Sequence, residues 1–351
     1  MLGIDLFSGA GGMSSGALAC GIDVRYAVES DRIAAATFAL NHAKTKLLNR
    51  DIKKICGSDF VLTRCKKEVV VFGGPPCQGF STSNQKNRTK ENANNWLFRE
   101  YLRLVREVKP DWVVFENVKG LLETEEGYFL DAVLKGFNVA GYTTSHFVLD
   151  SAEFGVPQKR NRLFIVGSLH GLVVDAPRPT VSKHVTVSQA LGDLPELENG
   201  DASDVEVYSR AARTMYARSL RGSLKSCHNN IVTKNAPYIV ERYGHIPQGG
   251  NWENIPRRLM KNYADVSRCH TGIYRRLNEN EPSIVIGNFR KNMLIHPWKD
   301  RGLSVREAAR LQSFPDQFRF MGSIGFQQQQ VGNAVPPLLA KAVFKQILAC
   351  A

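Results

Sequence analysis

Residues 68–81 read EVVVFGGPPCQGFS: an apolar run that stops at two glycines and two prolines. The run 68–72 has the length and β-branched content of a buried strand. Proline fixes φ and lacks an N–H, so Pro75 and Pro76 end the ladder and stiffen the turn beyond it. Cys77 is therefore presented on a rigid loop at the carboxyl end of a strand. In an α/β fold that is where ligands bind, and a cysteine held there is a candidate nucleophile.

The same strand-then-loop design recurs along the chain. Residues 2–7, LGIDLF, read as a strand that runs into a glycine turn at 8–12 and a helix rich in small residues at 13–20. A glycine turn before a helix lets a ligand approach the backbone and meet helix N–H groups. A dinucleotide site carries GxGxxG in this place. The pattern here, DxFxGxGG through Asp5, Phe7, Gly9, Gly11 and Gly12, differs. It suits a cofactor with a carboxylate and an amino group better than one with a pyrophosphate. A second strand, 24–28, ends at Glu29, the position at which an acid binds ribose hydroxyls. Asp51, within NRDI at 49–52, is a third acid, able to accept from an adenine amino group.

Two more segments bear on the chemistry. The strand 113–115 leads into FENVKG, which puts Glu116 at a strand's carboxyl end, in one cleft with Cys77 if the two strands are near neighbours. QKRNR, 158–162, immediately precedes the strand 163–167. Arg160 and Arg162 share one side if the extended chain begins early. Paired guanidinium groups beside a thiol favour thiolate and bind a carbonyl or phosphate. A basic strand edge that resists aggregation is the alternative.

Lys and Arg number 46 against 33 Asp and Glu, a net charge of +13 that favours a polyanionic partner, nucleic acid first. Seven cysteines without a CxxC pair argue against a disulfide framework and a zinc site, so no metal is expected. No run approaches the roughly 20 apolar residues that span a bilayer. There is no signal-peptide pattern, and the expected location is the cytoplasm, with no membrane partner. From about residue 175 the strand–helix rhythm fades. Residues 201–300 hold 16 Lys or Arg against 9 Asp or Glu, interleaved with Tyr238, Tyr243, Trp252, Tyr263 and Tyr274. This suits a smaller, loop-rich domain that lies against DNA; an ordinary basic α+β subdomain is the alternative, and the better one for base contact by any single residue.

The blocks DLFSGAGG, Glu29, NRDI, GGPPCQGFS, FENVKG, QKRNR, the segment 301–316 and QVGNAVPP at 330–337 occur in the order found in the cytosine-5 DNA methyltransferases. The chain resembles that family over nearly its whole length, in the form of a bacterial type II modification methylase. The resemblance implies a doubly wound, Rossmann-like α/β catalytic domain over 1–180, completed by 325–351. A target recognition domain over 181–324 is implied beside it, with the DNA cleft between them. It implies S-adenosylmethionine as cofactor, leaving as S-adenosylhomocysteine. The pocket it implies is Asp5, Phe7, Gly9, Gly11, Gly12, Glu29, Asp51, Ile52, Pro76, Leu97 and Asn333, with Phe7 against the adenine or sulfonium region.

Carbon 5 of cytosine is a poor nucleophile until a thiolate adds at carbon 6. The resemblance makes Cys77 that thiolate. Glu116 holds ring nitrogen 3 and the exocyclic amine, Arg162 the base carbonyl, and Arg160 supports them. Residues 82–95, polar and rich in asparagine, then read as a mobile lid over a flipped base. Gln78, Ser81, Ser83, Lys86 and Arg88 would contact DNA, with Lys90 a further phosphate partner. The segment 301–316 carries a capping box, Ser304 with Glu307, and apolar positions 305, 308, 309 and 311 at helical spacing, the pattern of a packing helix.

The expected partner is double-stranded DNA, with a cognate restriction endonuclease acting on the same site as a further one. The protein is expected to be a monomer, associated with the nucleoid through DNA. A transfer RNA cytosine-5 methyltransferase and a catalytically silent DNA-binding homologue are the alternatives. The PPCQ loop and basic insert favour DNA. Intact Cys77, Glu116 and Arg162 favour an enzyme. The target sequence is not legible, because residues 180–300 carry the least resemblance.

Overall fold

The structure is a computed structural model; it describes residues 1–62, 67–76, 96–123, 127–261, 272–287, 289 and 294–351. The chain folds into two compact units. The first comprises Met1–Phe154, Arg160–Thr180 and Pro337–Ala351; the second comprises Gly155–Lys159 and Val181–Pro336. The sequence places the return to the first domain at 325, whereas in the structure it falls at 337, and residues 155–159 belong to the second unit.

The first unit is built on β1 (Leu2–Leu6), β2 (Asp23–Val28), β3 (Lys46–Leu48), β4 (Val69–Gly73), β5 (Trp112–Val118), β6 (Thr143–Asp150) and β7 (Asn161–Ser168). They form one sheet in the order β3-β2-β1-β4-β5-β7-β6. The strands β1 to β5 pair in parallel, and β7 runs antiparallel to both β5 and β6. Every residue of β1 and β4 is buried. Central parallel strands are covered on both faces, which is why they read as unbroken apolar runs. From β1 the chain winds outward to β2 and β3; from β4 it winds the other way to β5. The winding therefore switches between β1 and β4, and the crevice beyond the carboxyl ends there is where open α/β sheets take ligands.

The helices between these strands are α1 (Gly12–Leu18), α2 (Arg32–Asn41), α3 (Phe98–Val108) and α4 (Tyr128–Val139). One face of the sheet presents Ile4, Leu6, Val71, Val113 and Phe115 to Tyr101, Leu104 and Val105 of α3 and Phe129, Val133 and Phe137 of α4. Burying each such side chain contributes about 1.5–3 kcal/mol. The wholly buried Tyr101 phenol satisfies its polar tip at the carbonyls of Val71 and Val114, both 3.0 Å away. On the other face, Phe72 meets Phe344 of the helix Pro337–Leu348, ring centroids 4.9 Å apart. That helix also packs on α1. A β-carbon added at Gly16 would lie 2.6 Å from that of Ala340, which explains the small residues of α1.

The second unit holds the helices Val187–Leu191, Met215–Arg221, Pro237–Gly244, Val305–Leu311 and Ile324–Asn333, and a two-stranded pairing of Glu206–Val207 with Ser226–Cys227. The capping box forms as the sequence indicates: Ser304 Oγ accepts from Glu307 N at 3.1 Å and Glu307 Oε2 from Ser304 N at 2.8 Å. Much of this unit's polar content is internal. Arg310, 0% exposed, donates to Asp193 at 2.9 Å, to Asp316 at 2.6 Å and to the Ala190 carbonyl at 2.8 Å. Removing one partner of a buried ion network leaves uncompensated charge, at a cost of about 3–5 kcal/mol. Arg310→Ala is expected to lower stability by that amount in a urea titration.

Four of the interleaved aromatics and cations of 201–300 are internal to this unit rather than on its surface. Tyr243 and Tyr274 are core residues packed with Ile239, Ile246 and Ile295. Arg242 donates to the Leu259 carbonyl and the Tyr274 hydroxyl, each at 2.8 Å. Arg276 donates to the carbonyls of Ile246, Tyr243 and His296 at 2.6, 2.7 and 2.9 Å. These arginines fix loop backbone in a unit with little regular structure to do so. Arg257, Arg258, Lys261 and Tyr238 remain exposed. Tyr263 lies outside the described residues.

Candidate active site

Glu116 and Arg162 are brought together by strand register. Arg162 of β7 stands opposite Val118 of β5, so it shares a face with Glu116, two residues back. Arg162 Nε lies 3.0 Å from Glu116 Oε1, with side chains only 12% and 11% exposed. Burial holds the Glu116 carboxyl above the usual range, while Arg162 and then Arg160 pull it down. Arg160, 1% exposed, has its backbone pinned. Its carbonyl accepts from Ser151 N at 3.0 Å and Ser151 Oγ at 2.8 Å, and its N–H donates to Asp150 Oδ1 at 3.0 Å. Burial and the neighbouring Arg162 act against the Arg160 charge, and Glu116 acts for it.

The loop that leads to Cys77 begins against this group. A β-carbon added at Gly74 would lie 2.5 Å from Glu116 Oε2, so glycine is what leaves room for the carboxylate. Asn117 Nδ2 donates to the Pro75 carbonyl at 3.4 Å, and Pro76 is exposed. Cys77, Gln78, Ser81, Ser83, Lys86, Arg88 and Lys90 lie outside the described residues. Neither Gly74 nor Asn117 stands out in the sequence; the doubled glycine and the FENVKG block are their only signals. Gly74→Ala is expected to displace the carboxylate and lower kcat about 10- to 100-fold, with cofactor affinity unchanged, in steady-state methylation and equilibrium binding assays.

At the end of β1 the backbone turns sharply. Phe7 has a φ of 60°, a left-handed conformation that costs a non-glycine residue about 1–2 kcal/mol. Strain of this kind concentrates at ligand sites. Gly9 and Gly11 follow at φ 54° and 97°. The turn is tied to the end of β2: Ser8 N donates to the Val28 carbonyl at 3.0 Å and Gly9 N to Glu29 Oε2 at 2.8 Å. Glu29 also accepts from Asp31 N at 2.7 Å, and burial holds its carboxyl above the ordinary range against these donors.

A β-carbon at Gly11 would lie 2.3 Å from His42 Nε2, so only glycine fits there, whereas one at Gly9 meets nothing within 4 Å. Gly12 opens α1. Phe7 and Leu97 pack, partly buried, on the cluster that contains Ile52. Asp51 is exposed and caps the short turn Ile52–Lys54 by accepting from Lys53 N at 3.0 Å. Asp5 lies beneath α1, takes the Ser14 hydroxyl at 2.6 Å and is pushed by burial up to about 8. Asn333 is exposed at the end of the helix Ile324–Asn333 in the second unit.

A mostly parallel sheet in this order, with a strained glycine turn after β1 and a buried acid–arginine pair beside the loop after β4, defines a Rossmann-like methyltransferase. The chain belongs to the C-5 cytosine-specific DNA methylase family, which it matches over residues 1–349, and is a DNA cytosine-5 methyltransferase. It is 34% identical over 348 residues to the type II methyltransferase M1.HphI of Haemophilus parahaemolyticus, covering 98% of this chain and 86% of that one. It is 30% identical over 367 residues to M.DdeI of Desulfomicrobium norvegicum, covering 98% and 88%. Among solved structures, one assigned as a DNA modification methyltransferase encoded within an E. coli prophage aligns with a TM-score of 0.80 at 26% identity, over 99% of both chains.

Proposed function

We propose that this enzyme takes its methyl group from S-adenosylmethionine and delivers it to a cytosine flipped out of duplex DNA, with Cys77 as nucleophile. The residues present fit that cofactor. Open space over Gly9, the strained Phe7 and the acid Glu29 at the end of the next strand form a cradle without a pyrophosphate-binding pattern. Asp5, Gly11, Gly12, Asp51, Ile52, Pro76, Leu97 and Asn333 complete the proposed set. When bound, S-adenosylmethionine supplies an electrophilic methyl group on a cationic sulfur.

The observation that carries the reading is the buried Glu116–Arg162 pair abutting the first residues of the Cys77 loop. Cys77 Sγ bonds to carbon 6 of the ring. Glu116, kept protonated to higher pH than an ordinary carboxyl, donates at nitrogen 3 and takes up the charge that addition creates. Arg162 holds the base carbonyl, and Arg160 keeps the pair in place. Carbon 5, now an enamine carbon, would take the methyl group as its bond to the cofactor's sulfur breaks and S-adenosylhomocysteine leaves; loss of the carbon 5 proton to water re-forms the double bond and expels the Cys77 thiolate, and nitrogen 3 returns its proton to Glu116. Gln78, Ser81, Ser83, Lys86 and Arg88 are proposed to hold the DNA.

Duplex DNA carrying 5-fluorocytosine tests this directly, because fluorine replaces the proton that must leave. With S-adenosylmethionine present, a protein–DNA adduct is expected, and peptide mapping is expected to find the base on Cys77. A methylated product without an adduct would refute covalent catalysis.

The enzyme is proposed to act as a monomer in the cytoplasm, on the same site as a cognate endonuclease. No described helix is long and apolar enough to cross a membrane.

A further inference from the structure

Arg160 and Arg162 stand just beyond a stretch of chain that is clamped in the second unit. Gln158 is 0% exposed. Its Oε1 accepts from Ile286 N at 2.9 Å, and its Nε2 donates to Gln312 Oε1 at 3.0 Å and to the Leu311 carbonyl at 3.3 Å. Gln312 in turn donates to the Val331 carbonyl at 2.8 Å. The backbone around Gln158 pairs with Ser283: Ser283 N donates to the Pro157 carbonyl at 2.9 Å and Lys159 N to the Ser283 carbonyl at 2.8 Å. An amide whose oxygen and nitrogen are both engaged, by segments distant in sequence, is fixed in place and in rotamer.

The chain passes from the second unit to the first between Lys159 and Arg160. Arg160 is pinned at once by Ser151 and Asp150. One residue therefore separates the clamp from the first arginine, and a residue spans at most about 3.6 Å.

We infer that Gln158 is a positioning residue for methyl transfer. By fixing the chain just before Arg160, it holds the approach to that arginine, which supports the Glu116–Arg162 pair. This rests on the reading of the two arginines and Glu116 as the base-holding group.

Gln158→Met keeps length and removes every side-chain hydrogen bond. It is expected to lower kcat about 10- to 100-fold, the effect of displacing a site by about an ångström. KM for duplex DNA is expected to stay within about threefold, since the arginines act on the flipped base in the transition state. Gln312→Met, which removes one clamp partner, is expected to lower kcat in the same direction. The double variant is expected to lose no more than Gln158→Met, because the two act as one unit.

Retained kcat with a raised KM would assign Gln158 to DNA recognition alone and overturn the inference. If Gln158→Met does not fold, Gln312→Met decides the matter by the same split. Arg162→Ala, run in parallel, separates the two layers. An active Arg162→Ala sinks the reading of the site, whereas an impaired one beside a normal Gln158→Met sinks only the inference.

Discussion

Cys77→Ala is expected to abolish methyl transfer while leaving duplex affinity within a few-fold. The thiolate is the only group proposed to bond the base, and without it carbon 5 keeps the weak nucleophilicity of an aromatic ring carbon. Removing a covalent nucleophile typically lowers the rate by about 10⁴-fold or more. Binding is expected to rest on phosphate contacts elsewhere, which the substitution does not touch. Single-turnover methylation and a gel-shift titration give the two numbers. A variant that still methylates at a measurable fraction of the parent rate would contradict the mechanism, whatever its affinity.

Glu116→Gln is expected to produce the second largest effect, a fall in kcat of about 10²- to 10³-fold, the range for a lost general acid. The amide keeps the shape of the carboxyl and can still accept from Arg162, so the pocket is preserved while the transferable proton is lost. The pH dependence separates this from a packing defect. Burial raises the Glu116 carboxyl above its ordinary value, so the acid form persists to higher pH than for an exposed glutamate. Activity that needs this proton falls as pH rises through that raised value. The variant, with nothing to titrate, is expected to lose this limb of the profile. A parallel pH profile in both proteins would remove Glu116 from the role of acid.

The parts of this protein that are legible in its sequence are those that burial makes monotonous. β1, β2, β4, β5 and β7 announce themselves as apolar runs because they lie inside the sheet. Loops follow the first four and carry part of the candidate site, while Glu116 lies on β5 itself and Arg162 on β7. β6 gives no such signal because it is an edge strand with the polar sequence TTSHFVLD, of which only Leu149 is fully buried. β3 has three residues, too few to show a period. The capping box at Ser304 is legible because capping is local, a bond between residues three apart.

What sequence does not convey is which charges are inside. Arg242 and Arg276 count toward the basic balance of residues 201–300, yet both are buried and hold backbone carbonyls. Composition counts a guanidinium equally whether it faces a phosphate or a carbonyl. The roles of Gly74 and Gln158 are hidden for a related reason. Each depends on an atom distant in sequence, Glu116 Oε2 for one and Ile286 and Gln312 for the other, and no local pattern encodes such a meeting.

The most direct measurement is to incubate mixed-sequence duplex DNA with the protein and S-adenosylmethionine, then map 5-methylcytosine by conversion sequencing. Methylation of one cytosine within one short motif is the predicted result, and it would also reveal the specificity that residues 180–300 conceal. Folded protein that methylates no duplex context, or that methylates an RNA instead, would contradict the account.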